Sequence, residues 1–87
     1  MLFMVIEHFK NRDAQAVYDR FRKRGRMLPD GLTYVESWVE TNFDRCFQLM
    51  ECHDGRLLEQ WASHWQDLVD FEFIAVLRSA EASAQVT

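Results

Sequence analysis

Pro29-Asp30-Gly31, Leu32-Thr33-Tyr34-Val35-Glu36-Ser37-Trp38-Val39-Glu40, Thr41-Asn42-Phe43-Asp44 and Arg45-Cys46-Phe47-Gln48-Leu49-Met50-Glu51-Cys52 follow one another mid-chain, and their reading decides the fold. Pro-Asp-Gly is a turn with a mechanism: proline presets φ, aspartate bonds to nearby backbone, and glycine accepts positive φ. Residues 32–40 then alternate large and β-branched side chains in a strand pattern. Thr41–Asp44 is short and polar enough for a hairpin turn, and Arg45–Cys52 reads as the returning strand.

Working outward, both flanks of the hairpin switch to helical period. On the amino side, Ala14, Val17, Tyr18 and Phe21 fall at i, i+3, i+4 and i+7 after a capping Asp13. Gly25 sits where that helix should stop. On the carboxyl side, Asp54 caps a second helix whose face carries Leu57, Leu58, Trp61, Trp65 and Leu68. Beyond the helices lie two further strand-like runs, Met1–Phe9 and Phe71–Arg78. The order is β-α-β-β-α-β, an α+β ferredoxin-like plait. Right-handed crossovers place both helices on one face of a four-stranded antiparallel sheet, strand order 4-1-3-2. Residues 1–79 read as one domain and 80–87 as a flexible tail.

A chain of 87 residues buries only about 60–65% of the surface its unfolded form exposes. Yet 48% of it is hydrophobic, with seven Phe, three Trp and two Tyr. Two helices cover one face of the sheet, and the surplus of aromatics belongs on the other. Self-association into a homodimer is the simplest way to hide it.

The net charge of −4 does not match nucleic acid or anionic lipid. The basic run Arg20, Arg22, Lys23, Arg24 and Arg26 reads as the solvated end of the first helix. No stretch approaches the roughly 20 apolar residues of a membrane span, and no targeting segment precedes Glu7 and His8. Cys46 and Cys52, on one strand, are separated by about 20 Å, beyond the ~7 Å between Cα atoms that a disulfide tolerates. Reduced thiols suit the cytoplasm.

The register of the hairpin is open by one residue. A two-residue loop sets Trp38 opposite Phe47, and a three-residue loop sets Trp38 opposite Gln48. The second divides the faces more cleanly and is preferred. It sends Val35, Val39, Phe47 and Leu49 to the helices, with Tyr34, Glu36, Trp38, Cys46, Gln48 and Met50 on the open side. Those aromatic and polar groups, joined by His8, have the composition of a ligand pocket and equally that of a partly polar interface. No metal-ligand spacing, phosphate loop or nucleophile elbow is present, and the sequence names no reaction and no cofactor.

Leu28-Pro29-Asp30-Gly31-Leu32 through Ser37-Trp38-Val39, Arg45-Cys46-Phe47-Gln48 and the Trp61/Trp65 segment resemble a small bacterial family of domains of unknown function. That family is similar to the dimeric α/β-barrel superfamily, which includes cofactor-free antibiotic-biosynthesis monooxygenases and chlorite-dismutase-like haem proteins. The resemblance spans about residues 1–78 and implies a dimer whose two sheets enclose a cavity. The expectation is an accessory dimeric module binding a small apolar or aromatic ligand between its sheets, through His8, Tyr34, Trp38, Cys46, Gln48 and Met50. The alternative is a cofactor-independent, monooxygenase-like enzyme using the same cavity. Fold analogy alone does not choose between them.

Overall fold

The computed structural model describes residues 1–86, and Thr87 lies outside the described residues. It is a small α+β domain. The elements run β1 (Leu2–Phe9), a 3-10 turn (Lys10–Arg12), α1 (Ala14–Arg24), β2 (Thr33–Val39), β3 (Arg45–Glu51), α2 (Arg56–Ala62), β4 (Val69–Val76) and α3 (Ser79–Val86). The four strands form one antiparallel sheet ordered β2-β3-β1-β4, so β1 and β3 are central and β2 and β4 are edges.

Three helix ends have a local cause in the sequence. The Asp13 carboxylate accepts the Ala16 N–H at 3.1 Å and caps α1. Gly25, at φ 66°, closes the other end and returns its N–H to the Phe21 carbonyl. The Asp54 carboxylate takes the Arg56 N–H at 3.0 Å as α2 begins. The spacing of Trp61 and Trp65 predicts one helix face. In fact α2 ends at Ala62, and Trp65 and Leu68 follow on turns held by Trp65 N–H to Ala62 O and Leu68 N–H to Trp65 O. Tight turns after Ala62 replace the extra helical turn, and β4 begins two residues earlier than its pattern suggested.

Of the expected tail, the described residues 80–86 belong to the helix α3. Ala80, Ala82 and Ala84 with Glu81 and Gln85 are strong helix formers, and α3 forms from them without a buried residue of its own.

The preferred hairpin register is overturned. Beside the turn, Trp38 pairs with Phe47 and Val39 with Cys46, and farther along Tyr34 pairs with Met50. The two parts are reconciled by a bulge at Val35, between Tyr34 and Glu36. One extra residue there reverses the inward–outward alternation of β2. Phe43, at φ 62°, turns the chain between the strands, its N–H bonded to the Glu40 carbonyl.

The two faces of the sheet follow from these registers. Phe3, Val5, Glu7 and Phe9 of β1 face the helices with Cys46, Gln48 and Met50 of β3 and Val69, Phe71 and Phe73 of β4. Tyr34, Ser37 and Val39 join them from β2, on either side of the bulge. Val5, Met50, Leu58 and Val69 are completely buried at the centre of this core. The opposite face carries Met4, Ile6 and His8, Phe47 and Leu49, Glu36 and Trp38, and Glu72 and Ile74. Trp38 there is 53% exposed and Ile74 41%. Toward one end Leu2 is buried, and with Val76 it lines a recess shared with Arg78 and Glu81.

The loop after α2 is tied to α1 by charge. Both Nη groups of Arg20 bond to the Asp67 carboxylate at 2.7 Å, and one also reaches the His64 carbonyl. That pairing holds Asp67 down to about 2. The basic run is therefore only partly a solvated helix end. Arg20 docks against the loop, Arg22 pairs with Asp19, and Arg26 turns inward.

Leu58, 2% exposed, anchors α2 in the core. Leu58→Ala should destabilise the fold by about 2–5 kcal/mol through lost transfer energy and the cavity left behind. Circular dichroism should record this as a fall in melting temperature of about 10 °C or more.

Candidate functional site

The connection from α1 to β2 begins with Gly25-Arg26-Met27, and both neighbours of Arg26 have positive φ, 66° at Gly25 and 60° at Met27. Glycine takes that conformation without penalty, whereas methionine is strained in it. The bend is held by two indoles. Trp61 Nε1 and Trp65 Nε1 both donate to the Arg26 carbonyl, at 2.9 and 3.1 Å. With its backbone fixed, the Arg26 side chain lies over the Tyr34 ring, its guanidinium carbon 3.6 Å from the centroid, and 5.0 Å from the Phe21 centroid.

Arg26 is the outer member of a polar chain running into the core. Its Nε donates to Gln48 Oε1 at 2.9 Å, and Gln48 Nε2 donates to Glu7 Oε2 at 2.7 Å. Gln48 and Glu7 are both buried. Gln48 is thus fixed in orientation, its carbonyl toward a cation and its amide toward a carboxyl. Burial pushes the Glu7 carboxyl up to about 7, against the lowering effects of Arg26 and the Gln48 amide.

Beside this chain is a cavity of about 110 Å³ between the sheet and the helices. Phe9, Phe21, Trp61 and Trp65 form its aromatic walls, while Glu7, Gln48 and Arg26 supply its polar side. Among the described residues every fully buried side-chain nitrogen or oxygen is hydrogen-bonded. Glu7 Oε1 has no protein bond, only Oε2 being engaged, so it retains access to the cavity that the residue lines. The Nη groups of Arg26 likewise make no hydrogen bond to a described residue. One aromatic-walled space is therefore lined by a carboxyl and a guanidinium that each keep polar atoms free of protein partners. Perturbed acids in such a setting are a recurring feature of functional sites.

The residues singled out from sequence divide between the faces. Cys46 and Gln48 line the cavity, and Tyr34 lies under Arg26 with its hydroxyl 2.7 Å from Ser37 Oγ. Met50 is completely buried in the core. All four occupy the helix side of the sheet: Tyr34 because of the bulge in β2, and Cys46, Gln48 and Met50 because β3 pairs them with Glu7, Val5 and Phe3 of β1. Trp38 and His8 are on the opposite face and do not meet this group. Burial, reinforced by Glu7, pushes the Cys46 thiol up to about 12, which leaves it a packing group rather than a nucleophile.

Glu7, Arg26 and Ser37 were missed by the sequence reading. The signal for Glu7 lay in the alternation Phe3, Val5, Glu7, Phe9, where a carboxylate interrupts an apolar face. Arg26 stood at the end of a basic run and offered no such mark. Among the described residues no cluster of His, Cys, Asp or Glu could hold a metal ion, and no helix is long and apolar enough to cross a membrane.

Fold and site together define a small α+β domain with one buried, partly open polar chain. The chain belongs to the DUF3303 family, described as a domain of unknown function, whose model matches residues 1–87. Neither curated proteins nor solved structures gave a match.

Glu7 keeps its proton to higher pH in the folded chain than in the unfolded one. Folding is therefore favoured below its ordinary value of 4.5, and that advantage is lost as pH rises to about 7. The loss amounts to about 3 kcal/mol. In Glu7→Gln, which can still accept from Gln48, urea unfolding at pH 5 and pH 8 should show this fall in stability removed.

Proposed function

We propose that this domain binds a small, flat, largely apolar molecule in the cavity between its helices and sheet, and that it works as a homodimer. The observation that carries the ligand reading is that Glu7 and Arg26, each with polar side-chain atoms free of protein partners, line the same aromatic-walled cavity. Aromatic walls with a few fixed polar groups are what orients a small ligand. The cavity, about 110 Å³ and open on one side, is smaller than the ~150 Å³ space known to accept benzene, so no more than one ring enters and part of the ligand stays at the mouth. This ligand site lies within one protomer, on the helix side of the sheet and away from the face between protomers.

The homodimer reading rests on the opposite face. Met4, Ile6, Phe47, Leu49, Trp38 and Ile74 lie together there, and an apolar surface of this kind is usually covered. A second copy related by a two-fold axis covers it with a matching surface and gives the dimeric barrel of two ferredoxin-like plaits. A reduced, cytoplasmic setting accords with the two free cysteines.

A thermal-shift screen of single-ring compounds tests the ligand reading. At a hundredfold excess over Kd, binding to the folded state alone adds about 2.7 kcal/mol. For a domain of this size that raises the melting temperature by about 10 °C or more. A screen flat across charged and neutral rings overturns the reading. For the homodimer, sedimentation equilibrium at micromolar concentration should give twice the chain mass. Trp38→Glu should shift it toward monomer by burying an unpaired carboxylate in the interface.

A further inference from the structure

We propose, resting on the reading of the cavity as a ligand site, that its occupant is a small aromatic monoanion whose charge meets the Nη groups of Arg26 and whose entry places a proton on Glu7. The placement begins with the guanidinium. Arg26 spends Nε on Gln48, rests on the Tyr34 ring and leaves its outer donors open. Guanidinium donors in a fork match the two oxygens of a carboxylate. The aromatic side chains around them suit a ring attached to that carboxylate.

The proton follows from the other groups that face Glu7. From β3 these are Gln48, which is neutral and bonded to it, and Cys46, whose thiol burial keeps protonated. From α1 there is Tyr18, whose hydroxyl is also pushed upward by burial, and from β4 the paired residue is Phe71. The indoles of Trp61 and Trp65 give their N–H groups to the Arg26 carbonyl, and Ser37 on β2 pairs with the Tyr34 hydroxyl. Arg26 is therefore the cation that helps keep Glu7 ionised, against burial. An anion seated on Arg26 cancels that help and adds a like charge nearby. Both effects favour the protonated carboxyl. Its free Oε1 can then carry the proton and donate it to a ligand oxygen. Nothing is oxidised or reduced; one proton moves from solvent to Glu7.

Isothermal titration calorimetry with benzoate, and with benzamide as a neutral probe of the same shape, tests this on the whole chain. Runs in phosphate and Tris at pH 7 should give benzoate heats that differ by buffer, corresponding to uptake of about half a proton per ligand. Benzoate affinity should fall about tenfold from pH 6 to pH 8, following the ionisation of Glu7. In Glu7→Gln benzoate should still bind, with the buffer and pH dependence gone. In Arg26→Met benzoate binding should be lost while benzamide is retained, which also shows the variant to be folded. Benzoate binding without proton uptake, or with its pH dependence intact in Glu7→Gln, overturns the inference. So does binding of benzamide alone to the unaltered protein, although the cavity then remains a ligand site. If neither probe nor any ring in the thermal screen binds, the proposed function falls and this inference falls with it.

Discussion

The Arg26 carbonyl is the point on which the helix side of the domain depends. A single oxygen accepts both tryptophan indoles, one from α2 and one from the turn behind it. Each bond is worth about 1 kcal/mol net, but leaving either buried indole N–H unpaired would cost more. The two bonds make α2 and its following turn converge on the α1–β2 connection. They also fix the backbone from which the Arg26 side chain extends. Core packing and site geometry thus share one anchor.

From that anchor the polar chain is determined inward. Arg26 can reach Gln48 because β3 turns Cys46, Gln48 and Met50 toward the helices, and Gln48 meets Glu7 because their strands are adjacent. A buried carboxyl is costly unless hydrogen-bonded or protonated. Glu7 partly meets both conditions, with one oxygen bonded and ionisation delayed to about 7. The domain tolerates this polar intrusion because apolar residues flank it on three of the four strands: Val5 and Phe9 of β1, Met50 of β3, and Phe71 and Val69 of β4.

Much of the architecture was legible because the hairpin, the α1 face and the Pro-Asp-Gly turn each carry a local signature. The orientation of the hairpin did not. A bulge at Val35 has no glycine to announce it, and a single unpaired residue reverses every later side chain of β2. The parity of β2 was therefore beyond pattern reading, and with it the side on which Tyr34 stands; Cys46, Gln48 and Met50 take theirs from pairing with β1, a contact that no local pattern in β3 encodes. The shortening of α2 escaped for a related reason. Trp61 and Trp65 keep helical spacing in sequence although Trp65 reaches its place through turns. The site itself was half visible: Gln48 and Cys46 were picked out by composition, whereas Glu7 and Arg26 acquire meaning only when strands and loop are brought together.

Both cysteines are buried and free, and burial raises both thiols above their ordinary range. A thiol kept protonated and covered reacts slowly with alkylating reagents. The folded chain is thus a quiet background for labelling chemistry. A cysteine introduced at exposed Phe43, on the hairpin tip, would be the one fast-reacting thiol. It gives spectroscopists a single attachment point on the exposed hairpin tip without first stripping the native sulfur from the core.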